Sequence, residues 1–390
     1  MHVAHIITRM ILGGAQENTL LTVEGQRADH GDRVELVTGP ALGPEGSLLD
    51  RARENGVDVR LVPALRRAIH PWRDWRAYRE LVRLLRELRP DVVHTHSSKA
   101  GILGRAAAAK LGLPCVHTVH GSPFHPYQSR MAYRAYVAAE RWAARRSDRI
   151  VSVCDAMTSQ YLAAGVGRPE QFVTVYSGME IAPFLSPPVP RESVRERLGF
   201  RPNDVVVGKV ARLFELKGHD DVIAAAKVLC PTDPRLKFLF VGDGLLRETL
   251  GRTIREAGLA ERFVFTGLVP PGQVPELIGG MDIVVHTSLR EGLARVLPQG
   301  LLGGKPVVSY DIDGAREVVL PGRTGFLIPP RDLAGLTEAI RTLAADSDLR
   351  ARYGATGRDL CRERFCHREM TRRLREVYAE VLKERANTAK

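Results

Sequence analysis

The sequence predicts an α/β protein of two doubly wound parallel sheets facing across a cleft. Three observations carry that expectation. Short apolar runs alternate with longer amphipathic ones, and the short runs are apolar on both faces, as strands covered on both sides of a sheet must be. The alternation occurs twice, in halves of similar size. Between the halves, Ala182–Pro190 (APFLSPPVP) holds four prolines in nine positions, which suits an extended linker better than a helix. A chain of 390 residues accommodates two or three domains of about 150 residues each.

Taken in order, the first half predicts strands at His2–Ile7, Val34–Thr38, Val57–Val62, Asp91–His96, Cys115–His120, Arg149–Cys154 and Phe172–Tyr176. Helical periodicity fills the gaps at Ala15–Ala28, Trp75–Leu88, Lys99–Leu111, Met131–Arg146 and Ala156–Ala164. After the proline run, strands follow at Val205–Val210, Lys237–Val241, Arg262–Thr266, Ile283–Thr287 and Pro306–Tyr310. Helices are expected near Asp220–Leu229, Leu245–Ala257, Val274–Ile278, Val296–Leu302, Leu333–Ala345 and Leu349–Glu363, with a basic tail helix at Glu369–Lys383. The expected division is 1–183 plus 366–390 as one domain, 204–365 as the other, and 184–203 as linker. Doubly wound sheets bind ligands outside the carboxyl ends of their strands, so chemistry belongs in the loops just after strands.

Composition narrows the function classes. Hydrophobic residues at 44% and charged residues at 26% are ordinary globular values, which exclude a disordered or fibrous chain. No apolar run approaches the roughly 18 residues of a membrane span. The start lacks the basic and small-residue features of a secretory signal. Five scattered cysteines (Cys115, Cys154, Cys230, Cys361 and Cys366) form no CxxC pair, which fits reduced thiols in a cytoplasmic protein.

Four loops carry residues that a sheet does not need. Gly13-Gly14 follows the first strand and opens a helix. Its backbone N–H groups suit a phosphate, although a tight turn without ligand reads equally well. His94-Thr95-His96-Ser97-Ser98-Lys99 ends the Asp91 strand, with His117 and His120 ending the next. Four histidines invite a metal, but no carboxylate lies nearby, and a substrate-contacting His120 is the better reading. Arg212 and Lys217-Gly218 follow the first strand of the second half, as a diphosphate clamp or as two solvated cations. Glu291-Gly292-Leu293-Ala294-Arg295 precedes a helix reaching Gln299, either as a cap or as a holder of ligand hydroxyls. No P-loop, nucleophile elbow, HExxH motif or matched pair of carboxylates is present.

The order of these segments resembles the retaining glycosyltransferases of family four, whose architecture is GT-B, two Rossmann-like domains. The carrying segments are GGAQ, HTHSSKAGILGR, VHTVHG, VYSGME, ARLFELKG, FVGDG, FTG and SLREGLARVLPQ, followed by GKPVVSYDIDGAREVV and TGFLIPP. The resemblance spans nearly the full chain. It implies a nucleotide-diphosphate sugar donor, no cofactor, no obligate metal, retention at the anomeric carbon, and a tail helix returning to the first domain. It further implies donor contacts from Gly13, Gly14 and Gly267 of FTG, and an active-site role for His120. Arg212 and Lys217 would neutralise the diphosphate. Glu291 would open the E-x7-E motif and hold sugar hydroxyls, with backbone amides from Leu293, Ala294 and Arg295. The eighth position after Glu291 is Gln299 in place of the ribose-holding glutamate, which keeps a non-catalytic sugar-nucleotide binder in view. Among donors the resemblance favours UDP-sugars, with GDP-mannose as the alternative, in surface polysaccharide or lipid-linked glycan synthesis.

The net charge of +12 (57 basic against 45 acidic residues) raises nucleic acid as a partner. Aromatics at 6% and the lack of any helix-turn-helix or zinc-finger signature disfavour it. A phosphorylase would need a cofactor-bearing lysine context that is missing, and a sugar-nucleotide epimerase would need no acceptor. Between Arg60 and Arg89 lie nine arginines against three acids, with Trp72, Trp75 and Tyr78 among them. That segment fits the anionic inner face of a membrane and a lipid-linked acceptor, or a solvated helix with its apolar side in the core.

Overall fold

The computed structural model describes residues 1–42 and 46–388 and divides into two compact units, Met1–Met179 with Cys366–Lys390, and Glu180–Phe365. The first unit runs β1 (His2–Arg9), α1 (Gly14–Ala28), β2 (Arg33–Gly39), α2 (Leu49–Glu54), β3 (Asp58–Leu61), α3 (Pro71–Leu88), β4 (Val92–His96), α4 (Ser98–Lys110), β5 (Cys115–Val119), α5 (Arg130–Ala144), β6 (Arg149–Ser152), α6 (Asp155–Ala163) and β7 (Phe172–Thr174). A C-terminal helix, His367–Thr388, completes it.

All seven strands are parallel, in the order β3-β2-β1-β4-β5-β6-β7. The order reverses between β1 and β4, so the loops leaving these two strands flank a topological switch point. One sheet face buries Ala4, Ile6 and Val93 among α3 and α4 residues such as Leu81, Leu85 and Ala107. The other buries Val3, Val92 and Val116 under Met370, Leu374 and Val377 of the C-terminal helix.

The second unit opens with α7 (Ala182–Leu185) and α8 (Arg191–Arg197). It continues as β8 (Val205–Val210), α9 (His219–Leu229), β9 (Leu236–Val241), α10 (Arg247–Glu256), β10 (Phe263–Gly267), α11 (Val274–Gly280), β11 (Ile283–His286), α12 (Val296–Leu302), β12 (Val307–Tyr310), β13 (Gly325–Ile328), α13 (Leu333–Ala345) and α14 (Ser347–Arg364). Its six parallel strands are ordered β10-β9-β8-β11-β12-β13, with the switch point between β8 and β11. Phe238, Phe240, Val285 and Leu343 lie in one continuous core.

The 184–203 stretch is not an extended linker. Pro183 sits in the first turn of α7 and Pro190 immediately precedes α8, positions where a missing N–H costs nothing. Arg191 Nη2 donates to Asp282 Oδ1 at 2.6 Å, and the buried Arg195 reaches Asp282 Oδ2 at 3.1 Å and the Asp204 carbonyl at 2.5 Å. These bonds bolt α8 to the segment entering β11. The prolines were legible, but the partner Asp282, nearly 90 residues away, was not. The unit boundaries accordingly fall at Met179 and Phe365. The sequence reading also missed β13, a four-residue strand whose Gly325 packs so close to Val307 that a Cβ would stand 1.8 Å from its carbonyl oxygen.

Candidate active site

In the first unit, β1, β4 and β5 carry the candidate residues. Their register pairs His5 with His94, His94 with Val116, and His96 with Thr118. Side chains alternate along a strand, so His5, His94, His96, Thr118 and the following His120 all belong to one face. That face is roofed by α1 and the C-terminal helix, while His117 bonds Thr95 on the other face at 2.9 Å. His5 Nδ1 lies 3.0 Å from His96 Nε2, and His96 Nδ1 lies 3.1 Å from His120 Nε2. His94 is held at both nitrogens, by the Tyr378 hydroxyl at 2.5 Å and Thr118 Oγ1 at 2.7 Å. Burial pushes His5 down to about 4, and it holds His94 and His96 well below their ordinary value with help from the neighbouring rings. All three are therefore neutral near pH 7.

Ring nitrogens of His5, His94 and His96 come within 4.8 Å of one another, the geometry of a possible ligand set. All six of their nitrogens, however, already have partners within the protein. The cluster is a closed hydrogen-bond network, and a metal could enter only by breaking it.

Ser97 follows β4 and precedes α4 at φ 61° and ψ 160°, a region glycine alone occupies readily. Its hydroxyl bonds Thr8 Oγ1 at 2.8 Å, which in turn accepts the Ala100 N–H at 3.1 Å. This strained position, beside His96 at the switch point, gave no sequence signal beyond being a serine before a helix. Gly13 is extended and precedes α1 without a side-chain cap, its carbonyl accepting the Glu17 N–H at 2.9 Å.

In the second unit, the loop after β8 carries Arg212 and Lys217, and the loop after β11 carries Glu291. The structure brings Lys217 and Glu291 into direct contact, Nζ donating to Oε1. Burial opposes the charged form of Glu291. The adjacent His286 ring, 3.6 Å away, and the Lys217 ammonium overcome it and hold the carboxyl well below the carboxylate range. Asp313, at φ 44° after β12, accepts the Glu291 N–H at 2.7 Å and fixes the loop.

Beneath the pair, the buried Lys209 donates to Thr287 Oγ1 at 2.9 Å, and Thr287 donates to the Gly218 carbonyl at 2.5 Å. Burial, with repulsion from Lys217, pushes the Lys209 ammonium down to about 7. Gly218 has φ +65°, and a Cβ there would stand 2.0 Å from the Thr287 carbonyl oxygen, so glycine is required after Lys217. Arg212 is exposed, its guanidinium 5.1 Å from the Phe214 ring centroid, and is not drawn into the Lys217–Glu291 pair. Leu293 and Ala294 are buried, Arg295 immediately precedes α12, and the half-buried Gln299 lies one turn on, its N–H bonded to the Arg295 carbonyl at 3.1 Å. Gly267 ends β10 at φ +72° and its carbonyl accepts from Gly242.

Sequence reading missed Lys209, His286, Thr287 and Asp313 in this unit, and His5, Gln26 and Tyr378 in the other. The available signals were a lysine inside an apolar strand and a histidine inside the first strand.

Residues 190–360 match the model of Glycosyl transferases group 1, and residues 13–178 match the Glycosyl transferase 4-like domain. The chain is 33% identical over 296 residues to 2-deoxystreptamine N-acetyl-D-glucosaminyltransferase of Streptomyces fradiae, covering 70% of each protein. The chain belongs to the glycosyltransferases. This glycosyltransferase is also 28% identical over 352 residues to the Escherichia coli UDP-Gal:alpha-D-GlcNAc-diphosphoundecaprenol alpha-1,3-galactosyltransferase, covering 89% of each. Anabaena Alr3699/HepE, crystallised in complex with UDP-glucose, shares its fold at a TM-score of 0.82 and 24% identity, over 97% of this chain and 99% of that one. The GT-B class expected from the sequence is thereby shown. The first match spans the sheet of the second unit with both its switch-point loops, and the second spans the first unit from α1 to β7, without β1 and the C-terminal helix.

Proposed function

We propose that this glycosyltransferase moves a sugar from a UDP-sugar to an acceptor glycan carried on a lipid, with retention and without a metal ion. The observation that carries the proposal is the Lys217–Glu291 pair at the switch point of the second sheet. A leaving diphosphate gains negative charge as the glycosidic bond breaks, so a pre-placed cation lowers the barrier directly. Lys217 and Arg212 supply that charge where other transferases use a metal. Glu291, kept ionised, accepts hydrogen bonds from sugar hydroxyls, and its carboxylate steers the sugar next to the cation. Gln299 would hold the ribose by a neutral hydrogen bond. His120, after β5 in the other unit, would contact the transferred sugar. Among the described residues, the carboxylate that meets the Glu291 loop is Asp313, and it accepts the Glu291 N–H in a loop-fixing bond instead of standing as a double-displacement nucleophile. Substitution from one face, with the leaving phosphate accepting the acceptor's proton, therefore fits best.

The UDP preference is supported by the galactosyltransferase named for UDP-Gal and by the neighbour bound to UDP-glucose. The diphosphoundecaprenol acceptor named for the former supports a lipid-linked acceptor here. Among the described residues no helix is long and apolar enough to cross a membrane. α3 instead offers a surface contact. Its Leu81, Val82 and Leu85 are buried, while Trp72 and Trp75 stack at 4.9 Å with 64% and 45% exposure. Arg79 lies over Trp75, and the exposed Arg83 and Arg86 continue the basic side. Aromatic and basic side chains together suit an anionic lipid surface on the cytoplasmic side.

The test is a screen of UDP-, GDP- and ADP-sugars by thermal stabilisation, followed by product analysis. A donor at a hundred times its Kd adds about 2.7 kcal/mol of stability. Stabilisation by UDP-sugars, an axial product from an axial donor, and turnover that survives chelator are expected. An inverted product, chelator-abolished turnover, or stabilisation by GDP-sugars alone would each overturn the corresponding part.

A further inference from the structure

The histidine chain leading to His120 has a direction. His5 Nε2 meets Gln26 Oε1 at 2.9 Å, and the amide oxygen only accepts, so His5 is protonated at Nε2. A neutral His5 then accepts at Nδ1, so His96 Nε2 is the donor between them. Neutral His96 in turn accepts at Nδ1, so His120 Nε2 is the donor to it. The other side of the same amide closes the circuit. Gln26 Nε2 donates to the Tyr378 hydroxyl at 3.1 Å, and Tyr378 must then donate to His94 Nδ1, leaving His94 Nε2–H for Thr118. Gln26, His5, His94, His96 and Tyr378 are all at most 1% exposed, so water cannot substitute for any of these partners. One amide therefore sets every donor and acceptor. Turned over, it would reverse the whole chain and leave His120 protonated at Nδ1.

We propose that Gln26, His5 and His96 are positioning residues that hold His120 in its Nε2–H tautomer, making Nδ1 the acceptor nitrogen of that ring. A sugar hydroxyl that reaches His120 Nδ1 would then be the donor in that bond. The significance for transfer rests on the reading that His120 contacts the donor sugar, but the tautomer does not.

The experiment uses the full chain labelled with 15N-histidine and long-range 1H–15N correlation. The His120 signals are identified as those lost in His120→Gln. The expected wild-type spectrum shows His120 bearing its proton on Nε2 with Nδ1 bare; a proton on Nδ1 overturns the proposal without need of any further variant. Gln26→Met removes the fixed acceptor, so His120 should become a mixture of tautomers, and kcat should fall about tenfold while the donor KM moves less than twofold. Gln26→Glu keeps an acceptor for His5 and should restore the Nε2–H form and most of kcat. An unchanged spectrum and rate in Gln26→Met, or a Gln26→Glu spectrum no nearer wild type, refutes the positioning role. If the tautomer is as expected but His120→Ala turns over normally, the relay stands and the sugar-contact reading of His120 fails.

Discussion

The two sheets of this molecule reverse their strand order in the same way, yet they furnish their switch points with opposite chemistry. At the first, the polar groups form a buried, uncharged chain in which every histidine is satisfied by another side chain. At the second, the loops bring a lysine and a carboxylate into contact above a lysine buried in the core. A neutral network fixes geometry and tautomer but exerts little field. A charge pair near the surface exerts a field that a charged ligand can exploit. One topology thus supports a positioning site in one unit and an electrostatic site in the other.

The contrast breaks most visibly at the charged end. Glu291→Ala and Lys217→Ala are each expected to lower turnover at least about a hundredfold, because on the proposed reading each removes a group aimed at developing charge, and each strands its partner. Initial rates against donor concentration decide it, and wild-type turnover in Glu291→Ala would remove the site assignment.

The neutral and charged regions should also separate by pH. His5 titrates at about 4 in the fold and near 6.5 when unfolded, so between those values the unfolded chain binds more protons. Stability at the first switch point is therefore full above 6.5 and is lost as pH falls toward 4. Lys209 titrates at about 7 in the fold against about 10.5 unfolded. Again the unfolded chain holds more protons, so stability rises as pH climbs from 7 toward 10.5. Urea midpoints across pH for the wild type and Lys209→Met should show the alkaline rise flattened in the variant and the acid loss retained. An identical alkaline limb in both proteins would count against a buried, proton-shedding Lys209.

The smallest effect concerns Gln299. A hydrogen bond to a charged group is worth about 1.5–3 kcal/mol against about 0.5–1.5 for a neutral one. Gln299→Glu should then tighten the donor by about 1 kcal/mol, roughly fivefold in Kd, with kcat intact. Weaker donor binding in this variant would show that Gln299 does not face the ribose.

Much of this arrangement is legible in the sequence alone. The doubled alternation placed both sheets, and the strand-end rule put His120 at the tip of a strand and Lys217 and Glu291 in loops. Period two even put His94 and His96 on one face. The proline run misled because composition reports that prolines break helices but not that the first turn tolerates them. What packs on that turn depends on Asp282.

The sequence by itself determined most of the strands and helices and which polar groups stand at strand ends, because those properties are set largely by neighbours a few positions away. Only the tertiary structure decided who meets whom. Strand order sets β1 beside β4, which joins His5 to His96 across 91 residues. It also sets β8 beside β11, which joins Lys217 to Glu291 across 74. The returning C-terminal helix brings Tyr378 to Gln26 across 352. A local pattern carries no information about such separations. They are fixed when burying the apolar faces of two sheets leaves one order of strands and one seat for the last helix.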